Sequence, residues 1–424
     1  MYSKIKNALN ACNITLWRIR EIRNESAELF FVRHELDMRR TKDVLKYEIT
    51  LFRDGDTVKG ATRASATLVV NPSIDYIDLE QQIADAYYAA QFAANPMYEL
   101  PDPVVAAPIY KSGAIASAPL MECAWEMADA LFEADIHESA FINSAEIFVT
   151  RTSIRIYSSY GTDVFYTDAG VNGEFVVQCQ SPEDVEMHHT FSYDELQTEA
   201  LTEKVKEALN FVCDRASATR TLKSGKYDLI LSGNSVSTVL SYYTSRSSAS
   251  MVYAGYSGWK IGDNVAGDNS SGEKLKLTLS ANVPYDGEGI ALNDLVLFRD
   301  GKLAAVHGSN RFCRYLGIEP TGSYSKLICE NGRIRFAEMK NEPCLWVVSF
   351  SDFQMDDFSG HFGGEIRLAY LIEGGKARPV TGGSVNGSLL EAQNDMLFST
   401  DRYVASDYVG PYALKLKDIS VAGI

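Results

Sequence analysis

The uneven distribution of glycine constrains the architecture of this chain more than any other sequence feature. Only 6 of the 30 glycines lie in residues 1–220, whereas 24 lie in residues 221–424. Frequent glycines between short apolar runs are typical of the turns that connect β-strands. A chain of 424 residues also exceeds the usual size of one compact domain. We therefore predict an N-terminal domain of residues 1–220 and a β-rich C-terminal domain of residues 221–424.

Helical and strand patterns alternate in the first half, which predicts a mixed α/β domain. Apolar residues recur at helical spacing behind Asp78, a candidate N-cap, and again behind Ser192 and Glu195, which resemble a capping box. Asp54-Gly55 predicts the turn of a β-hairpin. Alternating apolar residues predict two long strands, at residues 146–155 and 163–178.

Strand patterns dominate the second half. Hairpin turns are predicted at Asp300-Gly301 and Gly374-Gly375, and a last strand is predicted from Ala413 to Val421. Such a series fits an antiparallel sandwich or barrel. The expected fold class is therefore α+β, with an N-terminal mixed α/β domain followed by a C-terminal, mainly antiparallel β domain.

Composition excludes several classes of partner. The net charge is −16 and the isoelectric point is about 4.9, so a nucleic-acid partner is not expected, because such binding relies on clustered Lys and Arg. No apolar run reaches the ~18–20 residues that span a bilayer, and the first residues lack the pattern of a signal peptide. Seven scattered cysteines are typical of reduced thiols. We expect a soluble, cytoplasmic protein without a membrane partner.

Few side chains form a convincing catalytic or metal-binding pattern. His188 and His189 are adjacent, and neighbours on a strand point to opposite faces, so a solvated strand end is the favoured interpretation. His361 lies next to a glycine that would let the backbone approach a ligand closely. Asp286 and Glu288 could act as a carboxylate pair, but a structural turn is favoured.

Four segments of the second half resemble, in order, motifs of the TldD/PmbA family, also called modulators of DNA gyrase. They are Asp286-Gly287-Glu288-Gly289, Phe298-Arg299-Asp300-Gly301-Lys302-Leu303, Leu316-Gly317-Ile318-Glu319-Pro320-Thr321-Gly322 and Leu371-Ile372-Glu373-Gly374-Gly375-Lys376. Each segment alone is a weak turn signal, whereas the ordered set is specific. The family label does not imply that this acidic chain contacts DNA.

The zinc motif of the TldD branch is missing at the position where the resemblance predicts it. Ser241, Tyr242 and Arg246 stand where that branch has His-Glu-x-x-x-His. A neutral hydroxyl is a poor zinc ligand, and a guanidinium has no lone pair to give. The branch also takes a ligand from a cysteine near the C-terminus, but the last cysteine here is Cys344. The sequence therefore predicts no metal site in this chain.

The resemblance implies a TldE/PmbA-type chain that is inactive alone and pairs with a zinc-bearing TldD-type chain to degrade extended peptides. It implies no cofactor in this chain, because zinc is expected only in the partner. Tyr242, Tyr243, Arg246 and His361 are then candidate contacts to the partner or to peptide. Core packing is the alternative role of the two tyrosines.

Two other interpretations stay open at this point. One is a stand-alone binding or scaffolding homodimer of the same fold, which captures extended peptides by strand addition at a sheet edge. The other is an enzyme with a relocated site, in which His361, Glu365 and Asp352 would have to converge. Residues 1–45 carry no resemblance that predicts their role.

Overall fold

The computed structural model describes residues 1–267 and 271–424. The α-helices are α1 Tyr2–Ala11, α2 Tyr76–Ala90, α3 Ala114–Ser117, α4 Leu120–Glu133, α5 Thr198–Ser217, α6 Asn234–Arg246, α7 Ala249–Tyr253, α8 Asn310–Leu316, α9 Phe336–Met339 and α10 Leu389–Ala392. The first seven strands are β1 Trp17–Val32, β2 Glu35–Thr57, β3 Gly60–Val70, β4 Asn95–Pro96, β5 Ala140–Ser158, β6 Asp163–Cys179 and β7 Val185–Tyr193.

The remaining strands all follow residue 224. They are β8 Gly225–Ser232, β9 Leu277–Ser280, β10 Leu295–Arg299, β11 Lys302–Leu303, β12 Lys326–Cys329, β13 Cys344–Met355, β14 His361–Glu373, β15 Lys376–Val380, β16 Ser384–Ser388, β17 Leu397–Phe398, β18 Arg402–Val404, β19 Tyr408–Pro411 and β20 Ala413–Ala422. Short 3-10 turns at Gln91–Ala93 and Gln393–Asp395 complete the elements.

The first half forms one antiparallel sheet with the strand order β4-β3-β2-β1-β5-β6-β7. Its long strands pair in register over most of their length, as in the ladders between β1 and β5 and between β5 and β6. Helices α4 and α5 pack on this sheet and on each other, while α1 and α2 cover apolar residues of β1 to β3. Residues 1–45 therefore supply α1, β1 and part of β2 to the same sheet.

Five strands of the second half close into a ring in the order β13-β8-β20-β16-β14, because β14 pairs back with β13. Only the pairing of β13 with β8 is parallel within this ring. Gly364 makes the closure possible, since a Cβ there would lie 2.2 Å from the carbonyl oxygen of Asp352. A second sheet has the order β11-β10-β9-β12-β19-β18. The α+β fold class with a β-rich, mainly antiparallel C-terminal part is confirmed.

The two halves share one hydrophobic cluster. Residues of β5, β6, α4 and α5 pack together with Ile230, Cys344, Leu368, Tyr370 and Ala413 from the ring of strands. The first sheet contains only strands that end before residue 194, and the other two sheets contain only strands that begin after residue 224. A domain boundary near residue 220 remains a prediction.

Several local predictions are confirmed. Strands β5 and β6 enclose the predicted segments 146–155 and 163–178, and turns lie at Asp300-Gly301 and Gly374-Gly375. The last strand pairs with β8 and β16, so the end of the chain is held inside the sheet. No helix in the described part of the chain is long and apolar enough to cross a membrane.

Three local predictions are wrong. The hairpin turn lies at residues 58–59, because Asp54 and Gly55 pair with β3, and an ion pair between Asp54 and Arg63 extends the ladder. Ser192 belongs to β7, where its hydroxyl contacts Ser406 from a distant segment, so it caps no helix. Helix α2 begins earlier than predicted, because Asp75 accepts a hydrogen bond from the Asp78 N–H.

Candidate functional site

The segment that corresponds to the zinc motif lies on α6, which follows β8 after a single glycine. Gly233 has φ +60°, a conformation that favours glycine, and its N–H donates to the carbonyl of Tyr412 at 2.8 Å. This tight turn lets α6 pack against β8 and β13 of the ring of strands. The helix then packs its apolar face, including Val236, Val239 and Leu240, into the core of the second half.

Tyr242 and Tyr243 are both buried, with exposed fractions of 2% and 1%. Their rings contact each other and Trp259, and Tyr243 also packs edge-on against Phe298. The Tyr243 hydroxyl donates to Gln393 Oε1 at 3.0 Å, and burial raises the pKa of that hydroxyl. The structure therefore agrees with the core-packing alternative for the two tyrosines and leaves little ring surface for a partner.

Ser241 and Arg246 both form hydrogen bonds with groups of this chain. Ser241 Oγ donates to the carbonyl of Thr238 at 2.7 Å, one turn back on the same helix. The Arg246 guanidinium donates to the carbonyl of Tyr256 and lies over the rings of Tyr242 and Trp259, 6.0 and 5.8 Å from their centroids. Through these contacts Arg246 links the end of α6 to the loop that follows it.

The end of α6 is fixed by a histidine and an acid from other segments. The Thr244 carbonyl lies 2.9 Å from Nε2 of His307, and burial lowers the pKa of that imidazole. Ser245 Oγ donates to Asp357 at 2.7 Å. His307 thus donates to a helix-terminal carbonyl that also accepts from Ser247 Oγ at 3.0 Å. Its role is structural, and it lies beside the segment where the family's zinc motif would be.

The residues at the motif positions do not fit a zinc ion. Ser241 is half-buried and hydrogen-bonded, Tyr242 is in the core, and Arg246 is a fixed cation. No group of three or more His, Cys, Asp or Glu side chains within residues 1–267 and 271–424 is arranged to hold a metal. The side chains of α6 therefore offer packing and hydrogen bonds but no ligand set.

His361 lies at the start of β14, directly after Gly360, and its side chain is on the surface. Its ring is exposed, and Nδ1 lies 3.0 Å from Ser359 Oγ. It borders a cavity of about 250 Å³ that also contains Glu391 and Lys417, whereas Asp352 lines a different cavity. The structure thus does not bring His361 and Asp352 together, as a relocated catalytic site would require.

Asp286 and Glu288 hold the loop that follows the predicted turn. Buried Asp286 accepts hydrogen bonds from the N–H groups of Glu288, Ile290 and Ser323 at 2.8, 3.0 and 3.1 Å. Glu288 accepts from the Asn310 N–H at 2.9 Å. Burial raises the pKa of Asp286, an effect that these hydrogen bonds partly oppose. The two carboxyl groups therefore stabilise this loop through its backbone N–H groups, which agrees with the interpretation as a structural turn.

A cavity of about 770 Å³ lies between the two halves, next to the start of α6. It is bordered by β7 and α5 from the first half, and by Ser232 to Ser235, β13 and β18 from the second. Thr238, one turn before Ser241, also lines it, whereas Ser241 and Arg246 do not. Aromatic side chains provide apolar walls: Tyr193, Phe211, Phe350, Phe353, Tyr403 and Tyr412.

The ionisable groups in this cavity are unusual. Burial lowers the pKa of Lys204, and burial with the nearby Lys204 charge lowers the pKa of His189 to about 3. The buried Nε2 of His189 has no hydrogen-bond partner in the described part of the chain. Lys204 Nζ contacts the Tyr403 hydroxyl at 3.4 Å, and this hydroxyl donates to Asn234 Oδ1 at 2.7 Å. A half-buried cation is thus linked to the first residue of α6.

The prediction that His188-His189 is a solvated strand end is wrong, because both residues lie in the middle of β7 and the Nε2 of His189 is buried. Sequence reasoning also missed the cavity. The two side chains do diverge, since His188 contacts Glu174 while His189 stacks on Phe175. Lys204 lies on a helix whose other face is apolar, so its sequence pattern is that of an ordinary exposed lysine. Only the approach of Tyr403, about 200 positions later in the sequence, makes it part of a site.

The ring of strands and the helix behind Gly233 lie in the part of the chain that a family model recognises. A sequence model described as the PmbA/TldA metallopeptidase C-terminal domain matches residues 224–423. This match supports the resemblance to the TldD/PmbA family that the sequence motifs indicate. Among proteins of curated function, none matches this chain in sequence.

Solved structures share the fold over the full chain. TldE from Thermococcus kodakarensis is 16% identical, with a TM-score of 0.77 over 99% of this chain and 100% of its own. A candidate modulator of DNA gyrase from Thermotoga maritima is 15% identical, with a TM-score of 0.78 over 100% of both chains. Another from Bacteroides thetaiotaomicron is 18% identical, with a TM-score of 0.81 over 100% of this chain and 99% of its own. At these identities the likeness shows the fold alone.

Proposed function

We propose that this chain is a non-catalytic TldE/PmbA-type subunit that acts in the cytoplasm with a zinc-bearing TldD-type chain in peptide degradation. The observation that supports this proposal is the set of contacts made by the side chains at the motif positions of α6. The three motif positions hold Ser241, Tyr242 and Arg246, and each of these side chains is engaged within the chain. In this proposal α6 keeps its place in the peptidase architecture, but its side chains pack and hydrogen-bond within the chain and provide no ligands for zinc.

An exposed aromatic pair beside Arg246 supports a partner surface at the end of α6. Tyr256 and Phe358 have exposed fractions of 58% and 59%, and their rings meet edge-on at 5.1 Å between centroids. Arg246 donates to the Tyr256 carbonyl. Exposed aromatic residues with an arginine are enriched at protein interfaces. In this proposal Arg246 contacts the partner together with this pair, and His361 is a further candidate contact to peptide or partner.

Co-purification tests the proposed pairing. The chain is expressed with a TldD-type chain that has an intact His-Glu-x-x-x-His motif, and a fluorogenic unstructured peptide measures cleavage by each chain and by the mixture. We expect cleavage in the mixture, none by this chain alone, and no zinc retained by this chain after dialysis. Stoichiometric zinc in the dialysed chain, or cleavage by this chain alone, contradicts the proposal.

A matched pair of double variants tests the surface. Tyr256→Ser with Phe358→Ser removes the aromatic pair beside Arg246. Tyr88→Ser with Phe92→Ser removes another exposed edge-on pair, with exposed fractions of 63% and 73%, at a distant position on α2 and the turn after it. We expect the first double variant to weaken pairing tenfold or more and the second to leave it unchanged. Equal effects of the two would remove this surface from the proposal.

A stand-alone peptide-binding homodimer is the second candidate, and the edge of β7 favours it. This strand ends the first sheet. The Glu186 carbonyl accepts a hydrogen bond from Arg367, and the Ser192 carbonyl accepts one from the Ser406 N–H. Both donors lie outside β6, so the N–H and C=O groups of the even-numbered residues of β7 point away from the sheet. His188 and Thr190 between them border the large cavity. The backbone N–H and C=O groups of His188 and Thr190 that point away from the sheet have no recorded main-chain partner in the described residues. A peptide strand could therefore pair with them. A stable self-dimer that ignores the TldD-type chain would favour this candidate.

A further inference from the structure

The start of α6 and Lys204 face the same cavity and leave hydrogen-bond donors unused. Helix α6 has 13 residues, and Gly233 provides no side-chain cap. Within the described residues, the N–H groups of Asn234 and Ser235 have no recorded protein acceptor. Free N–H groups at a helix start carry a partial positive charge and favour an anionic ligand.

Two side chains of the first half independently favour an anion at this place. Lys204 has no carboxylate within ion-pair distance in the described residues, and its Nζ donates a long hydrogen bond of 3.4 Å to the Tyr403 hydroxyl. His189 presents a buried Nε2 without a hydrogen-bond partner in the described residues. A half-buried ammonium without a carboxylate and a buried ring nitrogen without a partner are costly, and a bound carboxylate would pair with both.

The charges at the cavity restrict the kind of anion. Glu203, Glu207 and Asp352 also line it, against Lys204 and Arg402. This balance disfavours a dianion such as phosphate, whereas a single carboxylate needs only one cation and a few N–H donors. The volume of about 770 Å³ and the aromatic walls leave room for several residues of a chain that carries the carboxylate.

We propose that this cavity binds the C-terminal carboxylate of an extended peptide, held by Lys204 and by the N–H groups of Asn234 and Ser235. The inference rests on the peptide-handling function proposed above and adds a preference for a free peptide end. Tyr403 is a positioning residue, because its hydroxyl accepts from Lys204 and donates to Asn234. Such a site would hold one end of a peptide between the two halves of this chain.

The test compares two forms of one peptide on the full chain. An alanine–valine hexapeptide with an N-terminal fluorophore is prepared as the free acid and as the C-terminal amide, and fluorescence anisotropy measures the Kd of each. We expect the free acid to bind ten- to a hundredfold more tightly, as charge-assisted hydrogen bonds imply. Competition with acetate and with inorganic phosphate separates a carboxylate site from a phosphate site.

Two lysine variants on the same helix provide the matched comparison. Lys204→Met should abolish the preference for the free acid. Lys206→Met should retain it, because Lys206 is exposed, pairs with Glu203 and does not line the cavity. Circular dichroism checks that each variant is folded, and the comparison of the two peptides on the unaltered chain does not depend on either variant.

The outcomes separate this inference from the proposed function. Equal binding of the acid and the amide, a preference that survives in Lys204→Met, or displacement by phosphate and not by acetate would each overturn the carboxylate site. Failure of both peptides to bind would overturn it as well. Pairing with a TldD-type chain is measured separately and can succeed or fail whatever the peptide result.

Discussion

Restoring the glutamate of the zinc motif at Tyr242 should unfold this protein instead of activating it. In the structure the Tyr242 ring is 2% exposed, packs against Tyr243 and Trp259, and fills the space beside Gly360, where an added Cβ would lie 3.4 Å from the ring. The sequence change Tyr242→Glu therefore removes core packing and places a carboxylate in the core.

Both effects are large compared with the stability of a protein. Removing a buried aromatic side chain costs about 3–5 kcal/mol in the free energy of unfolding. Burying an ionised carboxylate in the core costs several kcal/mol more, of which the Arg246 guanidinium, 6.0 Å from the present ring centroid, would offset only a part. Proteins have a free energy of unfolding of about 5–15 kcal/mol, so the variant should be largely unfolded or aggregated at pH 8. Tyr242→Phe is the control, because it keeps the buried ring and the Tyr242 hydroxyl makes no hydrogen bond to the residues that the structure describes, and we expect it to change stability by less than about 1 kcal/mol.

Thermal and urea unfolding, followed by circular dichroism, measure both variants between pH 4 and 8. Burial raises the pKa of an introduced Glu above its unfolded value of about 4.3, so the unfolded state ionises first as the pH rises. The difference between Tyr242→Glu and Tyr242→Phe should thus be smallest near pH 4 and grow by up to about 1.4 kcal/mol per pH unit above it. A Tyr242→Glu protein with the Tm of the Phe variant at pH 8 would refute the assignment of this position to the core.

Three further predictions concern the core and the cavity. Tyr243→Phe should cost about 1–3 kcal/mol in urea unfolding, because Gln393 Oε1 loses its buried donor, and a change below about 0.5 kcal/mol would contradict this. His189 has a folded pKa of about 3 against about 6.5 unfolded, so the unfolded state binds more protons and stability falls as the pH drops below 6.5. The loss from pH 8 to pH 5 should be about 1–2 kcal/mol after allowance for solvent access, and His189→Phe should lack it. A fragment of residues 221–424 should bind a hydrophobic dye and aggregate, because its share of the common cluster is uncovered, and a monomeric, cooperatively unfolding fragment would contradict this.

The family and the fold class were predictable because they depend on local and ordered features. Turn residues such as Asp300-Gly301 act within a few positions, and the ordered motifs of the second half identify the family without any knowledge of packing. The expectation that α6 holds no zinc likewise rests on single residues, since a serine hydroxyl is a poor zinc ligand and a guanidinium has no lone pair to give. Local signals were less reliable where a distant strand decided the outcome, as for Ser192, which lies in β7 and meets Ser406.

The sequence by itself determined which residues stand at the motif positions of α6, because residue identity is a property of single positions. The tertiary structure alone decided what these residues contact. Burial of Tyr242 and Tyr243 depends on Trp259 and Phe298 reaching them from other segments, and a stretch of aromatic residues predicts core and interface equally well. The cavity likewise exists only because Lys204 of the first half meets Tyr403 and the start of α6 from the second. Contacts between residues far apart in the chain leave no periodic trace in the sequence, so the fold had to bring them together before the site could be recognised.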